Sequence, residues 1–349
     1  MPVNDAVRIR AKQRIAYVSV MHSLIDFLCA FSLFARFRFT DDPFAVFLVY
    51  NFCAFALQLP LGIMLDACIA KKTSRAELPP VIVTVVGAVL TILGTWTAPI
   101  LLGLGNALFH TGGGVLTIQE DREANMRGTG LGVFVAPGAI GLFLGGTIST
   151  SSQLFVISAA GCILALLSLL LVRSLKKGEG RIAEPITDQP FSGNALWVLF
   201  CCFAVVILRS SIGFAETFAW KSGFLWSFAA VCMLAGGKTA GGFLAARFGM
   251  KKTVIVSLLS AAVLFLWKDI PLFGLSALFT FNMTMPLTLY LLAKRFPGMP
   301  GTAFGALTFA LFIGYVLVRV YHLGIPYFGT AASLLSIVLL SAAVKSNEC

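Results

Sequence analysis

One eleven-residue stretch occurs twice in this chain, 180 residues apart. Gly62-Ile-Met-Leu-Asp66-Ala-Cys-Ile-Ala-Lys71-Lys72 aligns without a gap on Gly242-Phe-Leu-Ala-Ala246-Arg247-Phe-Gly249-Met-Lys251-Lys252. Each copy ends an apolar run with a small-residue helix end and a basic loop. The same offset moves the first apolar run, about 14–35, onto the first run after the central polar stretch, about 193–215. A repeat of this kind in a hydrophobic chain predicts two homologous bundles of membrane helices, an arrangement typical of transporters.

The composition agrees. Of 349 residues, 58% are hydrophobic and 12% charged, about half the charge of a soluble domain of this length. The polar residues cluster, and twelve apolar runs lie between the clusters: about 14–35, 43–65, 78–96, 98–118, 128–148, 152–173, 193–215, 222–246, 252–267, 270–293, 301–321 and 323–344. Most are long enough to cross a hydrocarbon core of ~30 Å at 1.5 Å per residue. The sequence therefore predicts an all-α integral membrane protein of twelve transmembrane helices in two pseudo-symmetric six-helix bundles. The bundles cover 1–173 and 193–349, and a cytoplasmic linker, 174–192, joins them.

Basic residues set the orientation. With a cytoplasmic N-terminus, nineteen of the 26 Lys and Arg residues fall on that side, from Arg8 and Arg10 to Arg295 and Lys345. Four (Arg36, Arg38, Lys221 and Lys268) fall on the other, so both termini are expected in the cytoplasm. The net charge of +11 is then a topology signal, and nucleic-acid binding is not expected. The first run has the basic flank and length of a retained helix. The eight cysteines lack paired spacing and read as packing residues, so no disulfide, metal or cofactor is assigned. Gly112-Gly113-Gly114 lies inside a helix and is no phosphate cradle, and no Walker motif is present. Enzyme chemistry is not expected, and active transport would draw on an ion gradient.

Charged groups inside a span cost several kcal/mol unless paired or hydrated, so each is a candidate site residue. His22 and Asp26, four residues apart, share one face of the first span, and Asn106 and His110 share one face of the fourth. A carboxylate beside histidines can load and release protons; the structural alternative is a pair that only ties two helices together. Lys238 stands opposite Gln58 under the 180-residue offset, and either binds substrate or pairs with a buried carboxylate. Arg209 suits a carboxylate or phosphate, or pairs with Glu216. Arg319, near a span end, is expected to snorkel to the headgroups. Pro137, Gly138 and Gly141 predict a kinked, closely packed fifth span that could act as a hinge.

Twelve spans, a six-plus-six split and the repeated loop resemble the major facilitator superfamily. The family signature is carried by Gly62, Asp66, Lys71 and Lys72 in the first copy, with Ile69 in place of a second glycine. The second copy carries it on Gly242, Arg247, Gly249, Lys251 and Lys252, with Ala246 in place of the Asp. Over about 18–150 the chain is similar to the fosmidomycin-resistance type of drug exporter. The residues that carry this are His22-x-x-x-Asp26, Gln58-x-Pro60-x-Gly62, Gly103-x-Gly105-x-x-x-Phe109-His110 and Val133-Phe-Val-x-x-Gly138-x-x-Gly141. Ala136-Pro137-Gly138 also resembles the antiporter motif of proton-coupled exporters. The resemblance implies that spans 1, 4, 7 and 10 line a central cavity. That cavity would expose His22, Asp26, Asn106, His110, Arg209 and Asn282. It further implies proton-coupled export of a small organic solute by a monomer in the cytoplasmic membrane. The balance of intramembrane charge favours an anionic or zwitterionic solute. Uptake of an organic anion, or a sensor that has lost transport, remains open.

Overall fold

The computed structural model describes residues 4–71, 75–150, 152–175, 193–322 and 325–348. Lys72 of the repeat and the linker from 176 onward lie outside the described residues.

Every described element is helical. In chain order they are α1 (Asp5–Ala35), α2 (Pro43–Ala70), α3 (Leu78–Trp96), α4 (Pro99–Glu123), α5 (Thr129–Thr147) and α6 (Gln153–Leu175). After the linker come α7 (Gly193–Ala215), α8 (Gly223–Phe248), α9 (Met250–Phe265), α10 (Pro271–Arg295), α11 (Pro300–Arg319) and α12 (Phe328–Glu348). Local chemistry sets several starts. Pro43, Pro99, Pro271 and Pro300 each open a helix, where a missing N–H costs nothing. The Asp42 carboxylate accepts the Ala45 N–H, and the Asn4 side chain accepts that of Ala6.

Eleven of the described helices are long and apolar enough to cross a membrane. The run at 252–267 was expected as a full span but forms only the sixteen-residue α9. It nevertheless joins opposite ends of the molecule. Gly249 alone separates it from the basic end of α8, and Lys268 beyond its other end pairs with Glu216, just past the far end of α7. Gly249 has φ +91°, a left-handed conformation open to glycine, which permits the one-residue reversal. In the first copy Ile69 still lies within α2, and a longer connection follows, so no such turn is needed.

Three spans are interrupted. α5 breaks at Ala136, before Pro137, and α10 breaks at Met283. α2 contains a π-helical turn, Phe52–Ala56, that the sequence reading did not anticipate. The Gln58 amide donates to the Ala54 carbonyl at 2.5 Å, serving a backbone group at this irregular turn.

Among the first six helices, α1 packs on α4, α5 and α6, and α3 packs along α4. Among the last six, α7 packs on α10, α11 and α12, and α8 and α9 pack on α10. The two sets meet along two seams, α2 with α11 and α5 with α8. Near the basic end both seams are glycine contacts: Gly62 lies on the Gly301 backbone, and Gly242 lies on that of Gly128.

Candidate functional site

The polar centre is built from two adjacent helices. On α1, His22 and Asp26 sit one turn apart, so both side chains point at α4, where His110 and Asn106 have the same spacing. His22 Nε2 lies 3.2 Å from Asp26 Oδ2, and His110 Nε2 lies 3.5 Å from Oδ1. The Asn106 amide donates to Oδ1 at 3.1 Å and approaches Cys29 Sγ at 3.5 Å. All four expected residues are thus brought together, and all are buried.

The other nitrogen of each ring fixes its tautomer. His22 Nδ1 is 2.7 Å from the Phe134 carbonyl, and His110 Nδ1 is 2.9 Å from the Asn106 carbonyl. A carbonyl only accepts, so both Nδ1 atoms carry hydrogen. Each Nε2 then faces a carboxylate oxygen, and lone pair against lone pair is repulsive unless a proton or cation lies between. Two such contacts make room for two protons. The Phe134 carbonyl belongs to the turn before Pro137, a residue with no N–H to donate to its own helix.

Gly138 completes the arrangement. A Cβ there would collide with His22 Nε2 and Asp26 Oδ2. The sequence reading assigned this residue to a hinge and to helix packing. Gly141, one turn on, does admit the α1 backbone at Ser23, but position 138 is bare where the side chains need space.

The last six helices contribute cations. Arg209 on α7 is buried, and its Nη1 has no hydrogen-bond partner. Pairing with Glu216 does not occur: Glu216 binds Lys268 and accepts the Gly329 N–H at 2.7 Å. Among the described residues Lys238 on α8 is half-buried and has no carboxylate within ion-pair distance. Asn282 is buried and donates to the Leu278 carbonyl of its own helix at 2.8 Å. Gln58 likewise serves its own helix, so neither amide joins the His–Asp cluster. Arg319 is exposed, with its guanidinium 5.9 Å from the Phe214 ring.

The repeated loop behaves asymmetrically. Asp66 accepts from Gly301 N, Thr302 N and Thr302 Oγ1, each at 2.7 Å, and so caps α11 across the seam. Its partner is a helix N-terminus rather than the basic loop, because the first-turn N–H groups of α11 point at it unpaired. Ala246 cannot do the same for α5. That start is served by Asp121 on α4, which accepts from Gly128 N and Gly130 N, each at 2.8 Å. Lys71, Arg247, Lys251 and Lys252 are exposed at the basic end. Arg122 on α4 adds a tie between the two sets of helices outside those seams, donating to the Pro297 and Ala293 carbonyls at 2.9 and 3.0 Å.

Sequence reasoning missed the roles of Asp121, Arg14 and Glu120. The Arg14–Glu120 pair lies at 2.8 Å with both side chains almost wholly buried, and Arg14 also binds Ser174, so α1, α4 and α6 are joined. The available signal was a like-placed acid, Glu120 or Asp121, ending an otherwise apolar run.

A chain with eleven membrane-length helices around a buried polar cluster is a multi-pass membrane protein. Its fold is that of the major facilitator transporters. It aligns with FucP in the outward conformation (TM-score 0.60, 14% identity, 95% of this chain and 99% of that one). A variant of the E. coli fucose:proton symporter FucP gives 0.61 at 13% identity, covering 98% of each chain. The human organic anion transporter MFSD10 (TETRAN) gives 0.64 at 15%, covering 95% and 99%. No family model and no curated protein sequence matches the chain.

Proposed function

We propose that this protein is a secondary active transporter that moves a small anionic or zwitterionic organic solute across the cytoplasmic membrane by alternating access, exporting it in exchange for protons. The observation that carries the reading is the opposition of charge at mid-molecule. One carboxylate with two histidines stands in the first six helices, and the buried Arg209 and half-buried Lys238 stand on α7 and α8 of the last six. Protons load on the first group, and a carboxylate or phosphate of the solute sits with the second.

In this reading the chain acts as a monomer, with no catalytic step. Twelve helices cross the membrane in two six-helix bundles, 1–173 and 193–349, with the linker and both termini cytoplasmic. The contact of Lys268 with Glu216 supports counting short α9 as a crossing. The two seams, α2 with α11 and α5 with α8, are where rocking would occur.

The test uses protein reconstituted in vesicles under an imposed pH gradient, with a panel of organic anions and zwitterions. Gradient-driven flux is expected for at least one solute. It should disappear in Asp26→Asn, while Lys238→Gln should raise the solute KM at least tenfold. Flux that ignores both the gradient and Asp26→Asn would sink proton coupling. Uptake is the second reading, favoured by the fold shared with a fucose:proton symporter. Solute moving with the protons rather than against them would select it.

A further inference from the structure

The His–Asp cluster also has the donor set and supports of a transition-metal site. Metal-ligating histidines donate their second ring N–H to a carbonyl or carboxylate, which orients the ring and frees one lone pair. Here both Nδ1 atoms are spent on carbonyls, of Phe134 and Asn106, and both Nε2 atoms converge on Asp26. One ligand atom from each of the three residues lies within 4.8 Å of the others. A tetrahedron with bonds of ~2.0–2.1 Å has edges of about 3.3–3.4 Å. The His22 Nε2–Asp26 Oδ2 separation of 3.2 Å is close to that edge, and His110 Nε2 lies 3.5 Å from the other oxygen of the same carboxylate. Asn106 holds Oδ1, leaving Oδ2 for coordination, and Gly138 keeps the space beside Oδ2 clear.

We propose that His22 Nε2, His110 Nε2 and Asp26 Oδ2 bind a divalent transition-metal cation and leave its remaining coordination positions to water or solute. Two imidazoles and a carboxylate suit Zn²⁺, Fe²⁺, Co²⁺ or Mn²⁺ rather than Ca²⁺ or Mg²⁺. Cys29 is held off by Asn106 and is not a ligand.

The experiment titrates the purified full-length chain in detergent with Zn²⁺ by calorimetry and with Co²⁺ by visible absorption. The expected result is one saturable site in the micromolar range. Bound Co²⁺ should give the intense d–d bands of a four-coordinate ion, without thiolate charge transfer. His22→Gln, Asp26→Asn and His110→Gln should each weaken binding more than tenfold, whereas Cys68→Ser and Cys162→Ser should not. X-ray absorption of the Zn²⁺-loaded wild-type chain, which needs no variant to fold, should show nitrogen and oxygen neighbours only. Binding that persists in all three ligand variants, sulfur in the metal shell, or no saturable binding would overturn the proposal. It shares its pocket with the transport reading but not its readout. Proton-driven flux without metal binding refutes only the metal site, and metal binding without flux counts against transport alone.

Discussion

Gly138 shows how one absent atom shapes the centre. Its Cβ would occupy the space of His22 Nε2 and Asp26 Oδ2, so Gly138→Ala must displace one of the contacts that hold the cluster. We expect this substitution to reduce flux more than tenfold in vesicles. Gly146→Ala, whose Cβ would lie in ordinary contact 3.6 Å from the Phe34 ring, should leave it within twofold. Equal flux from the two variants would mean that the cluster tolerates displacement. Arg209 is the second residue of this kind. Its unpartnered Nη1 is costly to bury unless a ligand oxygen meets it during the cycle. Arg209→Lys keeps the charge and loses the fork, so solute KM should rise with little change in kcat.

At the scale of elements, the buried Arg14–Glu120 pair decides how α1 sits against α4 and α6. Glu120→Ala leaves a buried guanidinium with Ser174 as its neutral partner and no counter-charge from Glu120, at a cost of about 3–5 kcal/mol for a broken buried pair. A melting temperature lower by several degrees in detergent would show it. The half-buried pair Arg10–Glu123 should matter less, about 1 kcal/mol for Arg10→Ala. The break in α5 belongs to the same scale. Pro137→Ala restores a backbone donor that an unbroken helix would give to the Val133 carbonyl, next to the Phe134 carbonyl that accepts from His22. A straighter α5 should therefore shift the Phe134 carbonyl and weaken the cluster.

For the whole molecule, a carboxylate near the basic end ties together two helices from different halves of the sequence. Asp66 supplies three hydrogen bonds to the start of α11, while Ala246 at the equivalent position supplies none. The contact at the basic end therefore leans on one seam more than the other. Asp66→Ala forfeits charge-assisted bonds worth about 1.5–3 kcal/mol each, and even one shifts a two-state balance roughly ten- to a hundredfold. Spin labels at exposed positions 71 and 294, on an otherwise cysteine-free chain, should report a longer and broader distance in that variant. An unchanged distance would assign closure to Arg122 and the glycine contacts instead.

The succession of helices was legible in the sequence because hydrocarbon-length apolar runs, prolines at helix starts and a biased Lys/Arg pattern are local signals. His22 with Asp26, and Asn106 with His110, were legible as pairs for the same reason, since each pair is one helical turn. That the two pairs meet could be expected only through resemblance to a fold. The π turn in α2 and the service of Asp121 in place of the missing Asp at 246 left no local trace. Each depends on which backbone groups a neighbouring helix leaves unpaired. The sequence by itself determined a membrane-length helical chain with a repeated half and buried charge. Only the tertiary structure decided that two histidines, each committed to a carbonyl at Nδ1, turn their remaining nitrogens on one carboxylate, because that requires α1, α4 and α5 to pack at the bare face of Gly138.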